Sequence, residues 1–253
     1  MDKVRVIQVT DCHLQEREAH PFKGANPEKR LLSTLQQLRS EGADTDLLLL
    51  SGDLVHHGYA NAYQRLQQYT DGIAKEIRWI PGNHDDAFKM REYPYLSRKV
   101  FVQGEWCIIM LDSTSEPDGK GGGTLSQDEL ADLDRAVSEH SDKHLLLALH
   151  HPPMAVGSCW QDSIMLANAA AFWLQVMKYK NLKLIVCGHL HQDHKIERGP
   201  VTILATPATA PQFKAYTAEP ELESDPWLSL PAYRVIDLFD DGSFSTFVKR
   251  VPV

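Results

Sequence analysis

Leu182-Lys183-Leu184-Ile185-Val186-Cys187-Gly188-His189-Leu190-His191 is an apolar run that stops at a glycine and is followed by two histidines one residue apart. The run predicts a buried strand. In extended or turn-like backbone, residues i and i+2 point to the same side, so His189 and His191 are expected to converge on one small volume. A His-x-His by itself is more often an accident or an ordinary hydrogen-bonded surface pair. Its weight comes from the other strand ends of this chain, which close with the same kinds of residue.

Val4–Thr10 alternates and runs into Asp11-Cys12-His13, with Asp11 and His13 on one face and Cys12 turned to the core. Asp46–Ser51 ends in Gly52-Asp53, Ile77–Ile80 in Pro81-Gly82-Asn83-His84-Asp85, and Lys143–Leu149 in His150-His151-Pro152-Pro153. Helical patterns separate them. Asn26-Pro27-Glu28 opens a helix that carries Leu31, Leu32, Leu35 and Leu38. A second helix covers roughly 63–69, Ser126–Glu129 is a capping box, and an alanine-rich helix is expected from Ile164 to Tyr179. Strand–helix units with fully apolar strands argue for parallel pairing with right-handed crossovers.

Val100–Val102 and Cys107–Leu111 flank a turn at Gly104, and after His191 the chain is expected to finish in antiparallel segments. These are Val201–Ala205, Tyr233–Phe239 and Ser243–Val248, the last two joined at Asp241-Gly242. The acidic, proline-bearing stretch 215–231 reads as an exposed flap. There is no repeat and no domain boundary. The expectation is one domain over 1–253: α/β, a four-layer α/β/β/α sandwich of two mixed sheets flanked by helices.

Composition narrows the function. The chain has 253 residues, a hydrophobic fraction of 43 % and a net charge of −8, without a lysine/arginine block. A nucleic-acid polymer is therefore not an expected partner, though a small phosphate bound through metal ions is compatible with an acidic protein. No apolar run approaches the roughly 20 residues needed to span a bilayer, so no membrane association is expected. The chain enters a strand almost at once, which leaves no room for a signal peptide and predicts a cytoplasmic location. Cys12, Cys107, Cys159 and Cys187 lack CxxC spacing and are expected to be free thiols, mostly buried.

In open α/β sheets ligands bind beyond the carboxyl ends of strands, so Asp11, His13, Asp53, Asn83, His84, His150, His189 and His191 are expected to share one mouth. Imidazoles, two carboxylates and one amide oxygen suit Fe, Mn, Zn or Co, whereas Ca²⁺ and Mg²⁺ favour all-oxygen shells. The donors are too many for one tetrahedral zinc. Two ions roughly 3.5–4 Å apart, bridged by a carboxylate, would use them all.

The order Asp11-x-His13, Gly52-Asp53, Gly82-Asn83-His84-Asp85, His150, Gly188-His189-x-His191 resembles the calcineurin-like dinuclear metallophosphoesterase superfamily motif by motif. The details are closer still to its class III cyclic-nucleotide phosphodiesterases, the bacterial 3′,5′-cyclic AMP enzymes of the CpdA/Icc type. His150-His151-Pro152, the loop 157–162, Leu166-Ala167-Asn168, Ala205–Thr209 and Gln212-Phe213-Lys214 carry that part of the likeness.

The resemblance implies that Asp11, His13, Asp53 and His191 hold one metal, and that Asp53, Asn83, His150 and His189 hold the other. Fe and/or Mn are the expected ions, with Zn or Co as alternatives, and a hydroxide held between them would attack phosphorus. His84 is the candidate for protonating the departing 3′-oxygen or steadying the transition state, with Asp85 orienting it and Asp53 and Asn83 completing the catalytic group. Asn83, His84, Asn168, Thr206 and Phe213, together with Trp160, are the expected substrate contacts. His151 is either a support for the ligands or a bystander, while His56, His57, His20 and His194 are expected at the surface.

The activity implied is hydrolysis of 3′,5′-cyclic AMP to 5′-AMP. The alternatives are a broader phosphodiesterase acting on glycerophosphodiesters or 2′,3′-cyclic nucleotides, and a non-catalytic scaffold that keeps the sandwich, as a retromer subunit of the superfamily does. A homodimer is compatible with the resemblance.

Overall fold

The computed structural model of the protein describes residues 3–42 and 44–253. Two mixed sheets lie face to face. The first contains β1 (Lys3–Val9), β2 (Leu47–Ser51) and β3 (Glu76–Ile80), which run parallel. The second begins with the hairpin β4 (Val100–Gln103) and β5 (Trp106–Met110), then continues through β6 (His144–Ala148) and β7 (Leu182–Cys187), parallel to β5. Edge strand β8 (His194–Arg198) and β9 (Val201–Ala205) follow in that sheet. The chain then returns to the first sheet, where β10 (Ala232–Phe239) pairs antiparallel with β1 and with β11 (Phe244–Arg250).

Helices cover both outer faces. α1 (Pro27–Glu41) and α2 (Ala60–Thr70) pack on the first sheet. After the single turn α3 (Ala87–Met90) come α4 (Gln127–Glu139), the short α5 (Cys159–Asp162) and α6 (Ala169–Val176), and α4 and α6 cover the second sheet. The side-chain alternation of a strand makes this layering possible. In β2, Leu47 and Leu49 enter the core between the sheets while Leu48 and Leu50 meet the helices. In β6, Leu146 and Ala148 face inward while Leu145 and Leu147 meet α4 and α6. This is the four-layer sandwich that the fully apolar strands predict.

Some local expectations change. β9 pairs in parallel with β7, not antiparallel, and the polar strand β8, which the alternation does not reveal, fills the edge beside it. α6 begins at Ala169 rather than Ile164, because Leu166 N–H bonds to Pro152 O and Ala167 N–H to Gly123 O, which holds the preceding turn out of helical register. The capping box at α4 is half formed. Ser126 Oγ accepts from Glu129 N–H, but the Glu129 carboxylate accepts from Asp112 N–H and Lys99 instead of returning to Ser126. Cys12, Cys107 and Cys187 are buried free thiols, whereas Cys159 is exposed.

A buried polar chain stitches the sheets together beneath their carboxyl ends. Gln8 Nε2 donates to Ser51 Oγ (2.8 Å) and to Cys187 O (3.1 Å), and Thr206 Oγ1 donates to Gln8 Oε1 (2.6 Å). Arg234 Nε completes it by donating to Thr206 Oγ1 at 3.0 Å. Every partner here is buried, so removing one strands the others without water, a loss of about 1–3 kcal/mol per orphaned group. The register of one sheet against the other, and so of one set of strand ends against the other, depends on this chain.

On the far side of the first sheet, Asp237 accepts from Arg5 Nε (2.7 Å), Arg5 Nη2 (2.8 Å) and Lys3 Nζ (2.7 Å). The Arg5 hydrogen bonds hold its carboxyl below the usual range, against a smaller opposing effect of burial. A depressed carboxyl stabilises the fold above its unfolded pKa of about 3.9 and loses that contribution as pH falls through the lower folded value. Asp237→Asn should therefore be less stable than the parent at pH 7 in urea denaturation, and the gap should close as the pH is lowered below about 4. A gap that is constant from pH 7 to pH 3 would contradict this.

Candidate metal centre

The chemistry-bearing residues sit where strands end and backbone turns sharply. Asp11, His13, Asp53, His189 and His191 have φ of +51°, +47°, +50°, +71° and +55°, in the left-handed region. For residues with a Cβ this conformation costs roughly 1–2 kcal/mol each. Hydrogen bonds between neighbouring loops hold it: Asp11 N–H to Gly52 O (3.0 Å), His13 N–H to Asp53 O (2.9 Å) and Gly188 N–H to His150 O (3.2 Å). His189 N–H donates to the Asp11 carboxylate at 3.0 Å, tying the end of β7 to the end of β1. Strain concentrated on side chains that converge is a mark of a functional site.

The side chains form two groups that share Asp53. In the first, His13 Nε2 lies 3.2 Å from His191 Nε2 and 3.7 Å from Asp53 Oδ2, and Asp11 Oδ1 lies 3.4 Å from His191 Nε2. In the second, His150 Nε2 lies 3.2 Å from His189 Nδ1, 3.3 Å from Asn83 Oδ1 and 3.4 Å from Asp53 Oδ2. One oxygen of Asp53 thus faces both groups, while its Oδ1 accepts from His84 N–H at 2.8 Å. His189 and His191 do not meet at one point as extended backbone would have them. Their left-handed turns send one ring to each group.

These distances fit cations better than they fit hydrogen bonds. Donor atoms bound to one ion at 2.0–2.2 Å stand about 3.3–3.6 Å apart at tetrahedral angles. Two imidazole nitrogens that both offer lone pairs gain nothing from facing each other. Their partner nitrogens are committed: His150 Nδ1 to Ser51 O (3.0 Å) and His191 Nδ1 to Pro211 O (2.6 Å). Each leaves Nε2 free to bind metal, as a ligand histidine requires. His189 Nε2 is buried without a hydrogen-bond partner. Seven residues that offer donor atoms of this type fit a pair of transition-metal ions, with His189 turning Nδ1 to the second group.

Burial drives His13 and His189 well below the ordinary histidine range, which keeps both neutral. Burial also disfavours a charge on His150, but the facing Asp53 carboxylate outweighs it and lifts His150 to about 9. Asp53 in turn, despite its own burial, is held well below the carboxylate range by His150 and the other imidazoles.

A family profile described as calcineurin-like phosphoesterase matches residues 4–193. The chain belongs to the calcineurin-like phosphoesterase family. It is 32% identical over 253 residues to a 3′,5′-cyclic-nucleotide phosphodiesterase of Nostoc, covering 98% of this chain and 93% of that one. It is 31% identical over 256 residues to the 3′,5′-cyclic adenosine monophosphate phosphodiesterase CpdA of Escherichia coli K12, covering 98% and 90%. The CpdA of Pseudomonas aeruginosa is 31% identical over 251 residues with the same coverage. Among solved structures, a dimetal phosphatase from Danio rerio superposes with a TM-score of 0.67 at 10% identity, covering 98% of this chain and 99% of that one. The inner-membrane-complex anchor of Plasmodium gives 0.65 at 14%, covering 99% and 89%. At such identities the two structures speak for the fold alone. The calcineurin-like phosphoesterase fold implies a dinuclear metal centre, and the two groups sharing Asp53 are where this chain offers one.

Several expected roles move. Asp85 does not touch the His84 ring. Its carboxylate accepts from Leu54, Val55 and Gly82 N–H (2.9–3.0 Å) and from Tyr63 Oη (2.9 Å), clamping the loops after β2 and β3. Burial and the Asp53 charge push its carboxyl up to about 7 in spite of those donors. Asn168 spends its amide on Leu125 N–H and O, and Thr206 is buried in the chain between the sheets, so neither faces the mouth. Phe213 does, its ring 4.9 Å from that of His191 and 4.9 Å from Trp160.

His151, left open by the sequence, uses both nitrogens on Ser113 Oγ and Gly121 O and packs its ring against His150 and His189. His194 is buried and bonded to Gln192, not at the surface. Two neighbours of the site were not anticipated. Phe22 stacks on His13 at 4.2 Å, and His56 stands beside His13 and His84. Phe22 lies in a long polar loop whose sequence carries no such signal. For His56 the signal was an imidazole soon after Gly52-Asp53.

Close backbone approach makes glycine obligatory behind the ligands. A Cβ on Gly188 would meet Thr10 Oγ1 at 2.1 Å and Asp11 Oδ2 at 2.9 Å. On Gly82 it would meet Asp53 N and Oδ1 at 2.3 Å. Gly188→Ala should retain its far-UV circular dichroism yet keep no more than one of the two metal equivalents per chain in elemental analysis. Full metal content in that variant would show that Asp11 is not needed where it stands.

Proposed function

We propose that the protein, acting as one domain over residues 1–253, hydrolyses 3′,5′-cyclic AMP to 5′-AMP at this centre. One observation carries the reading: near full-length similarity to CpdA enzymes in a chain whose donor atoms form two complete groups joined by Asp53 Oδ2. The mixed imidazole, carboxylate and amide set favours Fe and/or Mn, with Zn or Co as close alternatives. Cations bound there would lower the pKa of water and neutralise charge on the phosphate. A cytoplasmic location accords with the four free cysteines, and no helix among the described residues is long and apolar enough to cross a membrane.

The chain's own residues do the rest. Water adds to phosphorus and the P–O3′ bond breaks with its electron pair on O3′, which ends as a hydroxyl. His84 is half-buried at the mouth, with its main chain fixed on Asp53, so its ring can place an N–H on the departing oxygen. Asn83 turns Oδ1 to His150, which leaves its amide N–H₂ for a phosphate oxygen. Phe213 walls the side of His191, with Trp160 packed edge-on against it, and offers an apolar ring to the base.

His84→Ala should keep two metals by elemental analysis and lose roughly 10²- to 10⁴-fold in kcat. Loss of a metal would instead make His84 a ligand. Steady-state comparison of cyclic AMP, a 2′,3′-cyclic nucleotide, a glycerophosphodiester and an aryl phosphodiester should give cyclic AMP the highest kcat/KM. Equal values across the set would favour the broader phosphodiesterase. Metal uptake without turnover of any of them would favour a scaffold.

A further inference from the structure

We propose that His56 is a positioning residue for His13, accepting the Nδ1 proton of that imidazole and so fixing which nitrogen His13 turns toward the carboxylates. The proposal rests on the dinuclear reading above. His13 Nε2 faces His191 and Asp53, so it must present a lone pair, and the ring's proton must then sit on Nδ1. His56 Nδ1 stands 3.3 Å from that atom. His150 and His191 meet the same requirement with main-chain carbonyls, whereas His13 meets it with a side chain.

The placement of His56 is built into the backbone. Its N–H donates to Leu14 O at 2.9 Å, which draws the turn after β2 alongside the segment that carries His13. The left-handed His57 (φ +64°) then turns the chain away. The His56 ring is held among His57 at 4.1 Å, His84 at 4.5 Å and Phe22 at 4.9 Å, while Phe22 stacks flat on His13. One side chain thus fixes the tautomer of a ligand through Nδ1 and backs the ring of His84 with its face.

A third cation is the competing use of these rings, since His13, His56 and His84 each place a ligand atom within 4.8 Å of the others. Through His13 Nδ1 it would have to strip the remaining proton from a ring whose Nε2 already faces the first ion position, leaving an imidazolate. The hydrogen bond asks for no such ionisation.

The test is titration of metal-stripped, full-length protein with Mn²⁺, with binding read by calorimetry and elemental analysis. For the parent and for His20→Ala, whose exposed side chain stands away from the site, two equivalents with unchanged affinities are expected. His56→Ala should weaken one of the two sites by 10- to 100-fold, the range typical of lost support to a ligand, and leave the other as it was. His56→Gln, whose amide oxygen can accept the same proton, should recover most of that loss, and His56→Phe, which fills the space without accepting, should not. Thermal melting of the metal-free variants, expected to match the parent, separates support of the ligand from support of the fold. Unchanged affinities in His56→Ala, or equal impairment in His56→Gln and His56→Phe, would overturn the role. So would a third Mn²⁺ bound by the parent and lost in His56→Ala, which would make His56 a ligand. Parent protein that takes up no Mn²⁺ would overturn the dinuclear reading itself, and this role with it.

Discussion

The carboxylate of Asp53 is the constraint around which this molecule is arranged. Its Oδ1 is held by His84 N–H and its Oδ2 looks toward both His13 and His150, so a single buried oxygen lies between two groups of donors. A buried carboxylate facing several neutral imidazoles is expensive unless positive charge compensates it. In the protein alone, the carboxylate raises the proton affinity of His150 in partial compensation. Cations at the two groups would provide it more completely, which is the electrostatic reason for such a site to exist in an otherwise acidic chain.

Keeping Asp53 there demands cooperation between the two sheets. Asp53 comes from the first sheet with Asp11, His13 and Asn83, whereas His150, His189 and His191 come from the second. The buried chain Gln8–Thr206–Arg234 fixes how the sheets sit on one another, directly under the site. Asp85 fixes the loops after β2 and β3, so that Asp53 and Asn83 move as one body. The left-handed residues are tolerable only because these bonds over-determine them. Stability is given up at the strand ends and recovered in the apolar layers beneath.

This arrangement also sorts the many histidines by the partner of their second nitrogen. His150 and His191 lean on carbonyls, His13 on His56, and His151 is consumed on both sides by Ser113 and Gly121. A histidine with one nitrogen anchored can present the other as a ligand, and one with both anchored can only support its neighbours. Residue type alone does not make that distinction.

Much of this was legible in the chain itself. Apolar strands such as Leu47–Leu50 have no solvent-facing side, so their burial on both faces, and with it the layered α/β sandwich, follows from composition and period. The ending of strand after strand in Asp, Asn or His placed the donors at one edge of the sheets, because parallel strands deliver their carboxyl ends together. Only the tertiary structure decided the rest. It split His189 from His191, since sequence cannot report that a residue with a Cβ has been forced to positive φ. It turned Asn168 and Thr206 inward and Glu129 away from its cap, because hydrogen-bond partners far along the chain outcompete local ones once the sheets close. It brought Phe22 and His56 to His13 across loops whose polarity gives no direction. Local pattern determines what each segment can bury, while the pairing of polar atoms between distant segments is settled only when the chain is packed.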